Sequence, residues 1–183
     1  LLKSAGLDDF SLNAVSEGLC QTSLRGVDSH GIKLLPHYVK SAIAGRKNPK
    51  PNFKIINHYP SILSLDADDA FGHAAGMKAV EIGTEAAEKF GISAVAVKNS
   101  SHPGAMACMT LVGAKKGFIS IGFTHADALM LSHSGTRSFF GTNPLSIAVP
   151  RIETHPYCLD MATSMISWNK LLSYRKKNAP VAT

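Results

Sequence analysis

Two short stretches bring glycine and histidine together with small polar side chains. Residues 25–31 read Arg25-Gly26-Val27-Asp28-Ser29-His30-Gly31, and residues 99–104 read Asn99-Ser100-Ser101-His102-Pro103-Gly104. Glycine lets the backbone pass close to a ligand, and an imidazole that titrates near neutrality can move a proton. His30 and His102 are therefore the candidates for acid/base chemistry. Each could instead be a hydrogen-bonded structural imidazole, but the small polar neighbour and nearby glycine favour chemistry. His37, His58, His73 and His155 lack that context and read as surface or structural histidines.

Other chemistries are less well supported. Asp28-Ser29-His30 does not make a hydrolase triad, because consecutive side chains are not expected to converge and no G-x-S-x-G elbow is present. His125, Asp127 and His133 raise the possibility of a metal site for a hydrolase. His-x-Asp at a strand end would put both side chains on one face, with His133 returning from a loop. The spacing is loose and no fourth ligand is evident, so a polar loop is the plainer reading. The usual nucleotide signatures are absent. There is no G-x-G-x-x-G after a strand, and Gly26 and Gly31 are followed by Ile32-Lys33 rather than the Lys-Ser/Thr of a P-loop. Residues Asp160-Met161-Ala162-Thr163-Ser164 follow a strand and open a helix. Thr163 or Ser164 could cap that helix and leave N–H groups for an anion, or simply cap it.

The elements that must carry these loops alternate. Helical spacing is read over residues 11–24, with Ser11 as N-cap and Gly26 as stop, and over residues 34–44, closed by Gly45. Residues 46–51, with Asn48-Pro49 and Lys50-Pro51, form a breaker-rich connection and mark a boundary between segments 1–48 and 49–183. Strands are expected at 53–56 and 62–66. A strong helix over 72–90 presents Ala75, Ala79, Ile82, Ala86 and Phe90 on one face and ends at Gly91. A buried apolar strand over 92–97, a helix over 105–115, strands at 118–123, 145–149 and 157–159, and a helix over 164–176 complete the α/β pattern.

Composition sets the outer bounds. The chain has 183 residues, 45% hydrophobic and 17% charged, as expected for a soluble globular domain with one solid core. Apolar runs are too short and interrupted to span a bilayer. The opening Leu1-Leu2-Lys3-Ser4 lacks the apolar length of a signal peptide and reads like the middle of a helix, as if the start were trimmed. The cysteines, 3 in number, are widely spaced without a C-x-x-C pair, which favours a reducing, cytoplasmic setting over a disulfide framework. The net charge of +6 is spread over lysines and arginines with no aromatic interleaving. That pattern argues against nucleic acid as a partner and is compatible with a small anionic ligand.

Taken in order, Arg25 to Gly31, Pro36-His37-Tyr38, Asn99 to Gly104, Gly141-Thr142-Asn143-Pro144 and Asp160 to Ser164 resemble the malate/L-lactate dehydrogenase family, which lacks a Rossmann fold. The resemblance runs from about Ser11 to the end of the chain. It implies a mixed-sheet, non-Rossmann dinucleotide-binding domain behind an N-terminal helical segment. It also implies NAD or NADP as cofactor, a small 2-oxo or 2-hydroxy acid as substrate, and a homodimer with active sites near the subunit interface. His102 would be the principal proton donor and acceptor, with His30 a second imidazole at the substrate. Ser29, Tyr38 and Thr124 would bind substrate. Asn143, Pro144, Asp160, Met161 and Ala162 would hold the cofactor.

The chain departs from the family's pattern at named positions. Leu34 stands where an arginine usually pairs with the substrate carboxylate, and the adjacent Lys33 would point elsewhere on a helix. The strand end reads Thr124-His125 in place of Thr-Asn. Ser132-His133-Ser134-Gly135 replaces Pro-x-Gly-Gly. Family members are nearly twice as long, so a C-terminal part is expected to be missing. The leading expectation is an NAD(P)-dependent oxidoreductase; a truncated, non-catalytic homologue is the alternative.

Overall fold

Helix α1 (Asp9–Leu24) begins where the Asp8 carboxylate accepts the backbone N–H of Ser11 at 2.7 Å. The N-cap is therefore Asp8, not Ser11, which lies inside the first turn and is buried. An aspartate satisfies an orphan N–H and complements the helix dipole, so the earlier residue captures the cap. Asp8→Ala is expected to lower stability by about 1 kcal/mol, read from the urea unfolding midpoint. Gly26, at φ 78, ends the helix in the left-handed region as its sequence position suggested.

The computed structural model describes residues 1–180. After a 3₁₀ turn (Ile32–Leu34), α2 (Leu35–Ile43) carries Pro36 in its first turn. Strand β1 (Lys54–Tyr59) pairs antiparallel with β2 (Ile62–Asp66). Helix α3 (Gly72–Phe90) then crosses to β3 (Ala94–Lys98), which lies parallel to β2. Helix α4 (Ala107–Lys115) leads into a second sheet in which β4 (Ser120–Phe123), β7 (Leu145–Val149) and β8 (Tyr157–Met161) are antiparallel, in the order β4-β7-β8. Between β4 and β7 sit β5 (Met130–Leu131) and β6 (Ser138–Phe140), a small pair too short for any periodicity to announce. Helix α5 (Trp168–Lys176) follows β8.

The fold is thus mixed α/β, with the main elements placed as the sequence pattern predicts. The main core joins Val15 and Leu19 of α1, Tyr38 and Ala42 of α2, and Phe71 and Ala74 at the start of α3. Phe53 packs against this cluster and against the groups centred on Leu63/Leu65 and Ala67/Ala70, so one aromatic ring ties the helical segment to the first sheet. The connection over residues 46–51 is anchored at both sides: the Asp8 N–H donates to Pro49 O, and the Asn48 N–H to Asp69 O.

Burial differs from the expectation of sealed strands. Every residue of β1 is exposed, and most of β3 is too. Phe90, expected on the buried face of α3, is 52% exposed at the helix end. Among the described residues α3 packs against β2 and β3 of the first sheet, and α4 against the second sheet. On the second sheet the face toward α4 is built from small residues, including Gly122, Ser146 and Ala148, with Thr110 and Ser146 hydroxyls 2.7 Å apart. Alternation then turns Ile121, Phe123 and Met161 outward, where they are exposed. Among the described residues no helix is long and apolar enough to cross a membrane.

Candidate active site

Segments distant in sequence converge on one cleft of about 220 Å³. The loop after α1 supplies Ser29 and His30, and the β3–α4 loop supplies His102, Pro103 and Gly104. The end of β4 contributes Thr124 and His125, the approach to β7 contributes Thr142 and Pro144, and the end of β8 contributes Asp160, Met161 and Ala162. The candidates His30, His102, Ser29, Thr124, Pro144, Asp160, Met161 and Ala162 thus share a single wall.

The imidazoles of His30 and His102 are stacked, with ring centroids 5.5 Å apart and planes 27° from parallel. Ser29 Oγ lies 2.9 Å from His30 Nδ1, so these consecutive side chains do converge, contrary to the expectation for the Asp28-Ser29-His30 run. The loop curls back after α1 and brings the short hydroxyl onto the neighbouring ring, while Asp28 turns outward to Lys33 at 3.6 Å. His102 Nδ1 is approached by the Gly104 N–H at 3.3 Å and by the Tyr38 hydroxyl at 3.2 Å. An amide N–H can only donate, so Nδ1 accepts and the proton of the neutral ring resides on Nε2.

Tyr38 is not itself on the cleft wall. It is buried on α2 and supports His102 from behind. Desolvation by that burial raises its pKa, which keeps the phenol neutral. Asn143 likewise acts on the backbone. It sits at φ 32, and its Oδ1 accepts the Ala126 N–H at 3.1 Å, bracing the turn before Pro144 against the end of β4. Asp160 accepts the Ala107 N–H at 2.8 Å at the start of α4, joining β8 to that helix. Its pKa is raised, chiefly by desolvation, against the lowering effects of that hydrogen bond, Arg25 and His30. His30 is lowered by desolvation and drawn back up by Asp160.

His102 is an exposed residue that lines the cleft. Desolvation, then the neighbouring His30 and His37, depress its pKa, to about 4. Two imidazolium rings so close repel, so the pair titrates as a unit and holds a single proton in preference to two.

His73 was read as a structural or surface histidine without further distinction, and it is the residue the motifs missed. It lies in the first turn of α3, is 1% exposed, and faces Tyr38 edge-on with centroids 5.4 Å apart. Burial depresses its pKa to about 4, with the charges of His102 and His30 adding to the effect. Unfolded His73 takes a proton near pH 6.5, but the folded residue does so only near 4. Between these values the unfolded chain binds more protons, so stability is full above pH 6.5 and is lost as the pH falls toward 4. The contribution is about 3 kcal/mol. Urea midpoints should decline across this window in the wild type. In His73→Gln the decline should be shallower, the remainder belonging to His102, whose pKa is depressed likewise, and an unchanged decline would assign it elsewhere.

The expectation for the cap of the last helix is corrected. Neither Thr163 nor Ser164 caps the last helix. Thr163 Oγ1 donates to Thr142 O at 3.0 Å and Ser164 Oγ to Ile166 O at 3.0 Å, leaving Ser167 as the N-cap of α5. His125, Asp127 and His133 do not gather: among the described residues no group of His, Cys, Asp or Glu forms a metal-ligand cluster. Leu34 packs against the main core, and no Arg or Lys is among the described residues lining the cleft.

The molecule is a mixed α/β protein without a glycine-rich phosphate loop, and it carries two stacked imidazoles in a small cleft. The whole sequence, residues 1–183, matches the family model described as malate/L-lactate dehydrogenase, and the chain belongs to that family. It is 37% identical over 181 residues to malate dehydrogenase of Pyrococcus abyssi, covering 99% of this chain and 50% of that protein. The crystal structure of malate dehydrogenase from Entamoeba histolytica superposes with a TM-score of 0.94 at 32% identity, covering 99% of this chain and 50% of that one. Sulfolactate dehydrogenase from Methanocaldococcus jannaschii gives a TM-score of 0.90 at 29% identity, with 99% and 52% covered. The chain spans about half the length of the relatives it matches.

Proposed function

We propose that this chain carries the proton-transfer site of an oxidoreductase that interconverts small 2-oxo and 2-hydroxy acids with NAD or NADP. The observation that carries the reading is the stacked His30–His102 pair at the wall of the cleft. The residues suit the reacting end of the cofactor. At about 220 Å³ the cleft is smaller than the roughly 300–1,000 Å³ of pockets that enclose a drug-sized ligand, so it suits a nicotinamide ring and a compact acid. Pro103, Thr142, Pro144, Met161 and Ala162 offer a small-residue, largely apolar wall for such a ring. Ser167, the N-cap of α5, lines the cleft and brings the positive end of that helix dipole to it.

A bound nicotinamide would supply or accept the hydride at the substrate carbon. The protein's task is then the proton at the substrate oxygen. To take the proton of a 2-hydroxy acid at Nε2, neutral His102 must first shift its own proton to Nδ1, where the Tyr38 oxygen can accept it in place of the contact with the Gly104 N–H. The depressed pKa keeps the ring neutral beforehand. When the ring is protonated, the Tyr38 oxygen can accept from Nδ1–H, so the same neighbour serves both protonation states. His30, whose pKa is lowered by burial and only partly restored by Asp160, lies beside it as a second imidazole. In the reverse direction the pair returns the proton to the carbonyl oxygen.

Residues 1–48 would then form a substrate and dimer segment and residues 49–183 the cofactor-binding domain, working in a cytoplasmic homodimer. A second reading, a homologue that binds without turnover, draws on Leu34 in the core and the lack of Arg or Lys on the cleft wall. Fluorescence titration with NADH and NADPH, followed by cofactor oxidation with a panel of 2-oxo acids, separates the two. Saturable binding with turnover supports the oxidoreductase; binding without turnover supports the second reading; a folded chain with neither overturns both.

A further inference from the structure

The titratable side chains on the cleft wall are His30, His102, His125 and Asp160, and no Arg or Lys joins them among the described residues. All but one are engaged by the protein. His30 Nδ1 meets Ser29 Oγ, His102 Nδ1 meets the Tyr38 hydroxyl and the Gly104 N–H, and Asp160 accepts the Ala107 N–H. His125 is exposed, and among the described residues its imidazole has no hydrogen bond, ion pair or ring contact. Its backbone, by contrast, is braced on both sides. The Thr124 N–H donates to Pro144 O at 3.3 Å and the Ala126 N–H to Asn143 Oδ1 at 3.1 Å, while a Cβ on Gly141 would collide with Ala126 O. The same segment reaches the histidine pair, since the Asp127 carboxylate acts on His102. An unengaged imidazole on a braced backbone at a cleft wall is preorganised for recognition.

A 2-oxo acid brings a carboxylate next to the carbonyl whose oxygen His102 serves. A carboxylate entering a small cleft needs a cationic partner to offset its lost hydration. We propose that His125, as the imidazolium, binds the substrate carboxylate and so selects 2-oxo acids over their uncharged analogues. The inference rests on the oxidoreductase reading for the identity of its ligand. Other groups on the wall serve less well. Burial lowers His30 and His102, which disfavours a positive charge on either ring. Asp160 repels an anion, and the N-terminus of α5 offers a partial charge that does not titrate. Only a protonated ring carries the full charge, so binding should weaken as the pH rises through the usual imidazole range. The titratable groups nearest to this part of the wall are His30, His102 and Asp160, with Asp127 from the same loop. The two lowered histidines contribute little positive charge above about pH 6.5.

The chain, with ¹⁵N-labelled histidine side chains, is titrated with pyruvate and with pyruvamide, its uncharged analogue. The His125 ring signals should shift saturably with pyruvate, which should bind about tenfold more tightly than pyruvamide at about pH 6. That preference should fade between about pH 6 and about pH 8. His125→Asn should abolish it throughout, whereas His125→Lys should retain it at about pH 8, where lysine is still charged. Because His125 is exposed, neither substitution disturbs the core. Absence of saturable pyruvate binding, equal binding of the two probes, a preference independent of pH, or one that survives in His125→Asn would each overturn the proposal. Oxidation of NADH is read separately. The expected binding pattern without oxidation removes the oxidoreductase reading and leaves the anion site standing. Oxidation by pyruvate with KM unchanged in His125→Asn does the reverse.

Discussion

His102→Ala should lower turnover of a 2-oxo acid by about 10³-fold, with cofactor affinity little changed. The argument rests on what the side chain can reach. Its Nδ1 is occupied by Gly104 and Tyr38, its Nε2 is the remaining proton site, and its ring lines the cleft beside His30. A stacked neighbour cannot fully substitute, because His30 Nδ1 is engaged by Ser29 and its ring is displaced by 5.5 Å between centroids. Tyr38→Phe leaves the imidazole in place and removes one of its hydrogen bonds. It should therefore act through the pH profile, displacing the limb assigned to His102. Near-normal kcat in His102→Ala, with cofactor binding intact, would transfer the role to His30. A loss of cofactor binding in step with kcat would instead mark His102 as a structural support of the cleft.

The largest stability effect is expected at Gly104. Alanine there must adopt φ 73 and set its methyl group against His73 Cε1, at 2.8 Å before relaxation. Left-handed backbone costs about 1–2 kcal/mol for an L-residue, and overpacking adds about 1–3. Gly104→Ala should thus destabilise the chain by about 3 kcal/mol in urea unfolding. His73→Ala in the same chain should recover the steric part and leave the backbone part. The double variant should therefore cost less than the sum of the two single substitutions. Strict additivity would show that the loop moves away from His73 without resistance. The same contact links stability to the site, since Gly104 lies two residues from His102 and donates to its ring.

Much of this architecture was legible because local signals coincided. Helix α3 was read with both its observed ends, Gly72 and Phe90, since apolar spacing ran unbroken up to Gly91, which takes φ 80. The cap of α1 was misplaced because Asp8 and Ser11 are both good caps, and helix geometry chooses whichever side chain meets a free N–H. The last helix was begun too early for a related reason. Thr163 and Ser164 have the right chemistry, but a tertiary contact to Thr142 and a local one to Ile166 engage their hydroxyls. Strands β5 and β6 carried too few residues for a pattern. His73 had no polar neighbour in sequence. Its one local signal was its place after Gly72 at the start of a strong helix.

What the residues alone determined is the set of reactive groups and the family. Imidazoles beside glycine in two loops, and five short motifs in order, depend only on local chemistry and chain order. Which groups meet was decided by the tertiary structure. The stacking of His30 on His102, the Tyr38 hydroxyl behind it and the sealing of His73 beneath Gly104 join segments as far apart as the first helix and the β3–α4 loop. Such contacts follow from how α1, α2 and α3 pack around Leu19, Tyr38 and Phe71. Packing is a property of surfaces brought together, so no local pattern along the chain encodes it.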